Sequence, residues 1–163
     1  MKGGRLAAGG VAVGAIVLVK IAAKTAIIGA IFGGAFGGAS YAKTAYEMSI
    51  EHIKTEAAYY NQKHGGEMMN AYVRLDAMHV DEDRKRLVVE TTAPNVTQES
   101  LNKLKVSELA DAEKEDKGHM IFEYKSDKDV KTLFEHDWEV EFRCKTSDGI
   151  LFEDIYINKS DIM

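Results

Sequence analysis

The residue types that most often carry chemistry are spread along this chain without a known motif. The histidines show neither an HExxH pattern nor a paired spacing typical of metal ligands. His52 and Glu56 stand four residues apart, which on a helix predicts a solvated pair on one face. We therefore predict no metal site from the five histidines, which are His52, His64, His79, His119 and His136.

Two further candidates for chemistry have simpler structural explanations. Asp81-Glu82-Asp83 lacks the glycine and the distal glutamate of a calcium loop, so it predicts a charged hairpin turn. Cys144 is the only cysteine, which excludes an intramolecular disulfide. Its neighbours Arg143 and Lys145 would lower the pKa of the thiol if they lay close to it. Adjacent residues of a strand point to opposite faces, however, so we expect a buried structural cysteine.

These observations predict no catalytic residue and no cofactor, and we expect a chain that is not an enzyme. The glycine pairs near the N-terminus do not follow a strand with the spacing of a phosphate-binding loop. All 26 acidic residues lie behind residue 43, and the formal net charge is -5. Because nucleic-acid binding depends on neutralising phosphates with Lys and Arg, the acidic part argues against a nucleic-acid partner. No small-molecule substrate is evident.

The most informative segment is apolar rather than reactive. Residues 6–39 are almost entirely apolar or glycine, and only Lys20 and Lys24 interrupt them. About 20 apolar residues suffice to span a bilayer, so we predict a glycine-rich membrane anchor over residues 1–42, in one long, tilted or partly interfacial helix. Two alternatives remain open. Ser40-Tyr41-Ala42 has the small residues of a signal-peptide cleavage site, and a helix buried in a protein interface would also be this apolar.

Glycines recur at intervals of four in this segment. On a helix they form a smooth stripe where a second backbone can approach closely. The stripe predicts helix association, either with another copy or with a different protein. Its members are Gly29, Gly33 and Gly37, with Gly34 and Gly38 beside them and Gly10 and Gly14 earlier.

The basic residues suggest how the anchor is oriented. Lys2 and Arg5 precede the apolar run, and no acidic residue lies among the first 43. The positive-inside rule then places the N-terminus in the cytoplasm and the C-terminal domain outside. Lysines behind the segment, such as Lys43 and Lys54, leave the reverse topology open.

A helical pattern continues behind the anchor and predicts a stalk helix over residues 43–65. Apolar residues such as Tyr46, Ile53 and Ala57 follow spacings of three and four, and Gly65-Gly66 ends the pattern. This face either pairs with the same partner as the glycine stripe or packs on the chain's own C-terminal domain.

Residues 66–163 predict a small soluble α+β domain. Alternating residues indicate strands over 71–80 and 86–92, and again over 138–145 and 150–158 around Ser147-Asp148-Gly149. A helix starting at Thr97, with Leu101, Leu104, Val106 and Leu109 inward, ends before Gly118. Residues 119–124 are ambiguous between a strand and a helix, and residues 127–136 predict a short helix. The order ββααββ predicts a four-stranded antiparallel sheet with helices on one face.

The last strand is the candidate binding site within this domain. Its aromatic residues, together with Trp138 and Phe142, are expected to form the core of the last hairpin. If some are exposed, the strand offers an edge to which a partner strand can be added. The residues of this possible protein-binding edge are Ile150, Phe152, Asp154 and Tyr156.

Two short motifs resemble a group of small, mostly uncharacterised bacterial envelope proteins. VRLDAM at 73–78 and LVVETT at 87–92 are similar to the group's "TRLDSV" and "LTYxYT" strands, and LFEHDW at 133–138 with Phe142 and Ser147-Asp148-Gly149 is similar to its "LLxxGxxxxYxYxDxDG" hairpin. The resemblance covers residues 67–161 and implies a fold and an envelope setting, but no reaction. Lys125 and Ile162 stand where relatives often carry two cysteines, which puts an exported location in question.

Taken together, these features predict a non-enzymatic, membrane-anchored adaptor of a larger assembly. Its expected location is the bacterial inner membrane, with the C-terminal domain in the periplasm. The partners expected are the membrane and a protein or a second copy. One alternative is a self-oligomerising pore-forming protein; another is a ligand-binding or enzymatic domain with a cleft that the sequence does not reveal.

Overall fold

A computed structural model describes residues 48–68 and 73–163 of the chain. The predicted anchor, its glycine stripe and residues 43–47 of the predicted stalk lie outside the described residues. Within residues 48–68 and 73–163, no helix is both long and apolar enough to cross a bilayer.

The described residues form an α+β domain, as predicted. In chain order, the elements are α1 (Ile50–His64), β1 (Arg74–Asp81), β2 (Arg86–Ala93), α2 (Gln98–Asn102), α3 (Val106–Ser126), α4 (Lys128–Glu135), β3 (Glu139–Thr146), β4 (Leu151–Ile157) and α5 (Lys159–Ile162).

The four strands form one mixed sheet in the order β1-β2-β3-β4. The two hairpins, β1–β2 and β3–β4, are antiparallel, but the central strands β2 and β3 run parallel. The prediction of a purely antiparallel sheet was therefore wrong at the central pairing. The reason is the connection: parallel neighbours need a long crossover, and three helices between β2 and β3 provide one.

Helix α1 packs on the sheet of its own domain. Ser49 is extended and its side chain accepts a hydrogen bond from the His52 amide, so the helix begins at Ile50. A continuous helix running from the anchor through the stalk is thus wrong at Ser49, where an N-cap interrupts it. Ile53 and Ala57 are buried in the main core, which is the second of the two alternatives for this helix face.

The segment after β2 differs from its prediction. Two helices, α2 and α3, replace the single one predicted from Thr97, and α3 continues through Gly118 to Ser126. Burial of Met120 and Tyr124 in the core holds this second half, which outweighs the roughly 1 kcal/mol cost of one helical glycine. Val106, expected inward, begins α3 and is 84% exposed.

One face of the sheet carries the core, and the other is open. Alternate residues of each strand, such as Leu87, Val89 and Val140, pack in the main apolar cluster with residues of α1, α3 and α4. Trp138 lies fully buried there, and its indole Nε1 donates to the Met48 carbonyl oxygen at 2.7 Å. The residues between them point to the opposite side of the sheet, which we call the open face.

Candidate functional site

Strand β4 lies at one end of the sheet. The sheet order gives it a single strand neighbour, β3, with which it is antiparallel. The position expected for the last strand therefore agrees with the structure. Whether this edge binds a protein stays a prediction.

The pairing of β3 shows which backbone groups of β4 point outward. The Glu139 amide donates to the Lys85 carbonyl oxygen at 3.0 Å, so Glu139 and the alternate residues after it bond to β2. The residues between them, Val140 and Phe142, therefore bond to β4, opposite Ile157 and Ile155. The backbone N–H and C=O groups of Asp154 and Tyr156 consequently point to the outer edge.

The opposite edge, β1, is occupied by the chain itself. The Gly66 amide donates to the Leu75 carbonyl oxygen at 2.7 Å, and the Leu75 amide donates to Glu67 at 3.0 Å. Further along, the Asn61 side-chain amide pairs with the backbone of Met78. Its Nδ2 donates to the Met78 carbonyl oxygen at 2.5 Å, and its Oδ1 accepts from the Met78 amide at 2.6 Å.

Side chains along β4 are more exposed than those of a core strand. Ile150 is 42% exposed, Leu151 37% and Tyr156 43%. Phe152 instead packs beside a second apolar cluster that contains Cys144. The expectation that the aromatic residues form the core of the hairpin is confirmed for Trp138 and Phe142, both fully buried, and is wrong for Tyr156.

The open face beside β4 carries a network of ion pairs. Arg86 on β2 contacts the Glu139 carboxylate at 2.7 Å and Glu141 at 3.5 Å. Arg143 on β3 contacts Glu141 at 3.5 Å and Glu90 at 3.3 Å. We call the seven residues that meet here the charged ladder; they are Arg86, Glu90, Glu139, Glu141, Arg143, Asp154 and Tyr156.

Glu141 is the centre of the charged ladder. It lies between the two guanidinium groups and is only 5% exposed, although it stands on the open face. Tyr156 is opposite Glu141 on β4, and the Arg86 guanidinium lies 4.8 Å from the centre of the Tyr156 ring. The long side chains therefore cover the central carboxylate, which keeps its charge compensated while water is excluded.

Asp154 is the titratable group that differs most from ordinary behaviour. Burial and the neighbouring Glu141 carboxyl raise the pKa of Asp154 to about 6, against the opposing effects of Tyr156 and Arg143. The Tyr156 hydroxyl donates to Asp154 Oδ2 at 3.1 Å. The same two carboxyls, with burial, raise the pKa of Tyr156 above its usual value. Asp154 can thus exchange a proton close to neutral pH.

The charged ladder holds more carboxylates than cations. Four acidic side chains meet two guanidinium groups, and His79 contacts Glu90 from one side. Within the described residues, the acceptors Asp154 Oδ1 and Glu90 Oε2 have no hydrogen-bond donor, and the donor Arg143 Nε has no acceptor in hydrogen-bond geometry. An ionised carboxylate can only accept hydrogen bonds, so Glu141 cannot supply the missing donor to Asp154 unless one of the two is protonated. The arrangement can therefore accept further donors from a cationic group.

The other chemical candidates do not converge. His52 Nε2 lies 3.9 Å from Glu56 on one face of α1, as predicted, but the two side chains are only 21% and 25% exposed, so the expectation of a solvated pair was wrong. His79 pairs with Glu90 at 3.6 Å, and His119 with Glu115 at 3.8 Å, on different elements. In the part of the chain that the structure describes, no three His, Cys, Asp or Glu residues are placed to hold a metal ion.

Cys144 is a buried thiol, as predicted, and packs in the second apolar cluster on the helix-covered face. The Glu82–Lys85 segment forms the predicted turn between β1 and β2. These two outcomes agree with the simpler of the interpretations considered for each motif.

Sequence analysis missed the charged ladder, although β3 contains a sign of it. Glu139, Glu141 and Arg143 alternate with the buried Val140 and Phe142, so period-two polarity already places the three charges on one face. The contribution of Arg86 was not visible because it depends on the parallel pairing of β2 with β3.

No protein-family model matches this chain, and neither curated proteins nor solved structures contain a significant match to it.

Proposed function

We propose that this protein is a non-enzymatic, membrane-anchored adaptor whose domain binds an extended segment of a partner protein along β4. The observation that carries the proposal is the difference between the two edges of the sheet. The outward backbone groups of β1 at Leu75 and Met78 bond to the chain itself, whereas those of Asp154 and Tyr156 on β4 face away from the sheet.

Strand addition is the recognition mode that such an edge favours. Main-chain hydrogen bonds to a sheet edge supply affinity, and alternate side chains supply specificity. The exposed Ile150, Leu151 and Tyr156 give an incoming strand apolar surface to cover. The proposed site thus unites backbone bonding with apolar contact in a single strand.

The anchor supplies the second half of the proposed function. An apolar, glycine-striped segment holds the domain at a membrane and associates with another helix through the stripe. We place the protein at a bacterial inner membrane with the domain in the periplasm, on the basis of the basic residues at the N-terminus.

The edge is tested by comparing two substitutions of Tyr156 in the full chain. Tyr156→Pro removes the outward N–H, and Tyr156→Ala removes the same ring but keeps the N–H. Native complexes are extracted in mild detergent from cells that express each variant, and their mass and peptide composition are determined. A loss of bound protein that is clearly larger with proline than with alanine supports the proposal. Equal recovery of the same complex with both variants excludes strand addition at β4.

The anchor is tested separately at Gly33. Gly33→Leu fills the stripe and should disrupt the complex in the membrane, while Gly33→Ala, a smaller change, should weaken it less. Circular dichroism of both variants checks that the domain still folds. Normal assembly of the leucine variant would overturn the association role of the stripe.

A further inference from the structure

The two edges and the charged ladder together point to the chemistry of the partner. We infer that the segment added to β4 carries a basic residue, Lys or Arg, at the position that faces Asp154 on the open face. This inference rests on the proposed function and adds to it the charge and the register of the partner.

The geometry of strand pairing places the basic residue. A residue directly opposite Asp154 on a new neighbouring strand would have its Cβ about 5 Å from the Asp154 Cβ, on the same face. Asp154 Oδ1 is buried and lacks a donor within the described residues. Glu141, across the strand pair and diagonal to Asp154, adds a second negative charge to this part of the open face, although its own carboxylate is covered.

The excess of carboxylates in the charged ladder favours a basic partner over a neutral one. The charged ladder has four carboxylates and two guanidinium groups, both of which already bond to Glu141. One incoming cation would compensate part of this excess at the Asp154 carboxyl. A charge-assisted hydrogen bond of this kind contributes more than a neutral one.

The other end of β4 calls for a different residue. Lys145, another cation on the open face, stands opposite Leu151 in the pairing of β3 with β4. Ile150, just before β4, and Leu151 are exposed at this end. A second basic residue would meet Lys145 at this end. The inferred segment is therefore basic near Asp154 and apolar near Leu151, with the strand-forming residues that suit a half-buried edge between them.

A second copy of this chain fits the edge less well. Antiparallel pairing of two β4 strands centred on Asp154 would place the two Asp154 residues directly opposite, and each copy would bring the same excess of carboxylates. Like charges opposite each other destabilise a sheet. Charge complementarity thus favours a different protein with a basic strand.

The test is a selection of displayed random 12-residue peptides on the full chain, kept in solution with mild detergent. The chain is immobilised in parallel as wild type, Asp154→Asn, Tyr156→Ala and Tyr156→Pro. We expect peptides rich in Val, Ile and Thr with Lys or Arg at one fixed position, whose binding is lost with Tyr156→Pro and weakened less by Tyr156→Ala, which removes apolar contact but keeps the N–H.

A double-mutant cycle then measures the charge contact. Binding of a selected peptide and its Arg→Gln or Lys→Gln version is compared on wild type and on Asp154→Asn. We expect either single change to weaken binding about tenfold, as for one charge-assisted hydrogen bond, and the two together to weaken it little more. Independent, multiplying losses would overturn the contact with Asp154.

The remaining outcomes separate this inference from the function on which it rests. Strand-forming peptides that need the Tyr156 N–H but show no basic preference would overturn the inferred charge and leave strand addition intact. Absence of any peptide that distinguishes Tyr156→Pro from Tyr156→Ala would overturn both. A concentration-dependent dimer in sedimentation, abolished by Tyr156→Pro alone, would assign the edge to a second copy and overturn the inference.

Discussion

The two edges of the sheet differ in whether the described chain bonds to their outward backbone groups. Both β1 and β4 are outer strands with a bulge, at Asp76 and at Phe152 respectively. On β1, the chain returns after α1 to bond Leu75, and Asn61 covers Met78. Strand β4 combines a bulge with exposed apolar residues and carboxylates. In the described part of the chain, no segment covers its edge as Asn61 and residues 66–67 cover β1.

Edge protection in this domain is local. Helix α1 and the turn after it give β1 its hydrogen bonds, so that edge is closed to other chains. Bulges and charges discourage unspecific pairing without filling the backbone groups. An edge whose backbone groups are uncovered and whose side chains are charged can bind a strand of complementary charge and disfavours other strands. This property suits selective binding.

The largest effect is expected from proline substitutions in β4. Ile155→Pro removes a bond to β3 and a core side chain, so it should lower the free energy of unfolding by about 4 kcal/mol. Tyr156→Pro should cost only about 1 kcal/mol because its N–H points outward. Urea unfolding, with Ile155→Ala and Tyr156→Ala as controls for side-chain loss, gives both values. Equal costs of proline at the two positions would show that the inferred direction of the backbone groups is wrong.

Opening the β1 edge should be the next largest effect. Asn61→Ala leaves the Met78 N–H and C=O without their side-chain partners, and we expect a loss of about 2 kcal/mol in the free energy of unfolding. The exposed groups should also promote self-association, measured by sedimentation. Gln62→Ala, one residue along and exposed, is the matched control. An Asn61→Ala protein as stable as the control would remove the distinction between the edges.

Asp154 should make the stability of the domain depend on pH. Its pKa is raised to about 6 in the folded protein, so protonation favours folding: the free energy of unfolding should rise as pH falls from 7 toward 4. At pH 7, Asp154→Asn should stabilise the protein by about 1 kcal/mol, less than the full pKa difference would give because the carboxyl is partly solvated.

The control for this titration is Asp137→Asn. A hydrogen bond from Lys159 lowers the pKa of Asp137 below its usual value, so its contribution is lost only in more acidic solution, and Asp137→Asn should leave the slope between pH 7 and 5 unchanged. Unfolding by urea at pH 5, 6 and 7 measures both variants. If Asp154→Asn leaves the slope of the free energy of unfolding between pH 7 and 5 unchanged, the group that titrates in this range is not Asp154.

The smallest effect is expected at the ion pair that joins α1 to the β1–β2 turn. Lys54 Nζ lies 2.5 Å from the Glu82 carboxylate, but both side chains are more than half exposed. Lys54→Ala should change the free energy of unfolding by no more than about 0.5 kcal/mol, and less at high salt. A loss comparable to that of Asn61→Ala would mean that charge, rather than the backbone bonds, holds the cover on β1.

Local parts of the fold were predictable, and long-range parts were not. Residues near Ser147-Asp148-Gly149 fix the last hairpin, and Gly149 takes the positive φ of 87° that such a turn needs. The pairing of β2 with β3 joins residues more than 50 positions apart, such as Arg86 and Glu139. Period-two polarity identifies a strand but not its neighbour or direction.

In the candidate site, too, some local features were predictable from the sequence and long-range features were not. The edge position of β4 agrees with its prediction, but the exposure of Tyr156 does not, because its aromatic ring was expected in the core of the hairpin. The raised pKa of Asp154 depends on Glu141, opposite Tyr156 on another strand, so it required the register. The cover on β1 was hidden for the same reason, since Asn61 bonds to Met78 across two elements.

Trp138 gives this molecule a built-in optical probe. It is the only tryptophan of the chain, and its indole bonds to the backbone of Met48, where the described domain begins. Its emission therefore reports the dry interior when α1 is docked and shifts to longer wavelength when water reaches the ring. Because α1 also carries the residues that cover β1, a shift to longer wavelength shows, without a label, that α1 has undocked and that this edge has lost its cover.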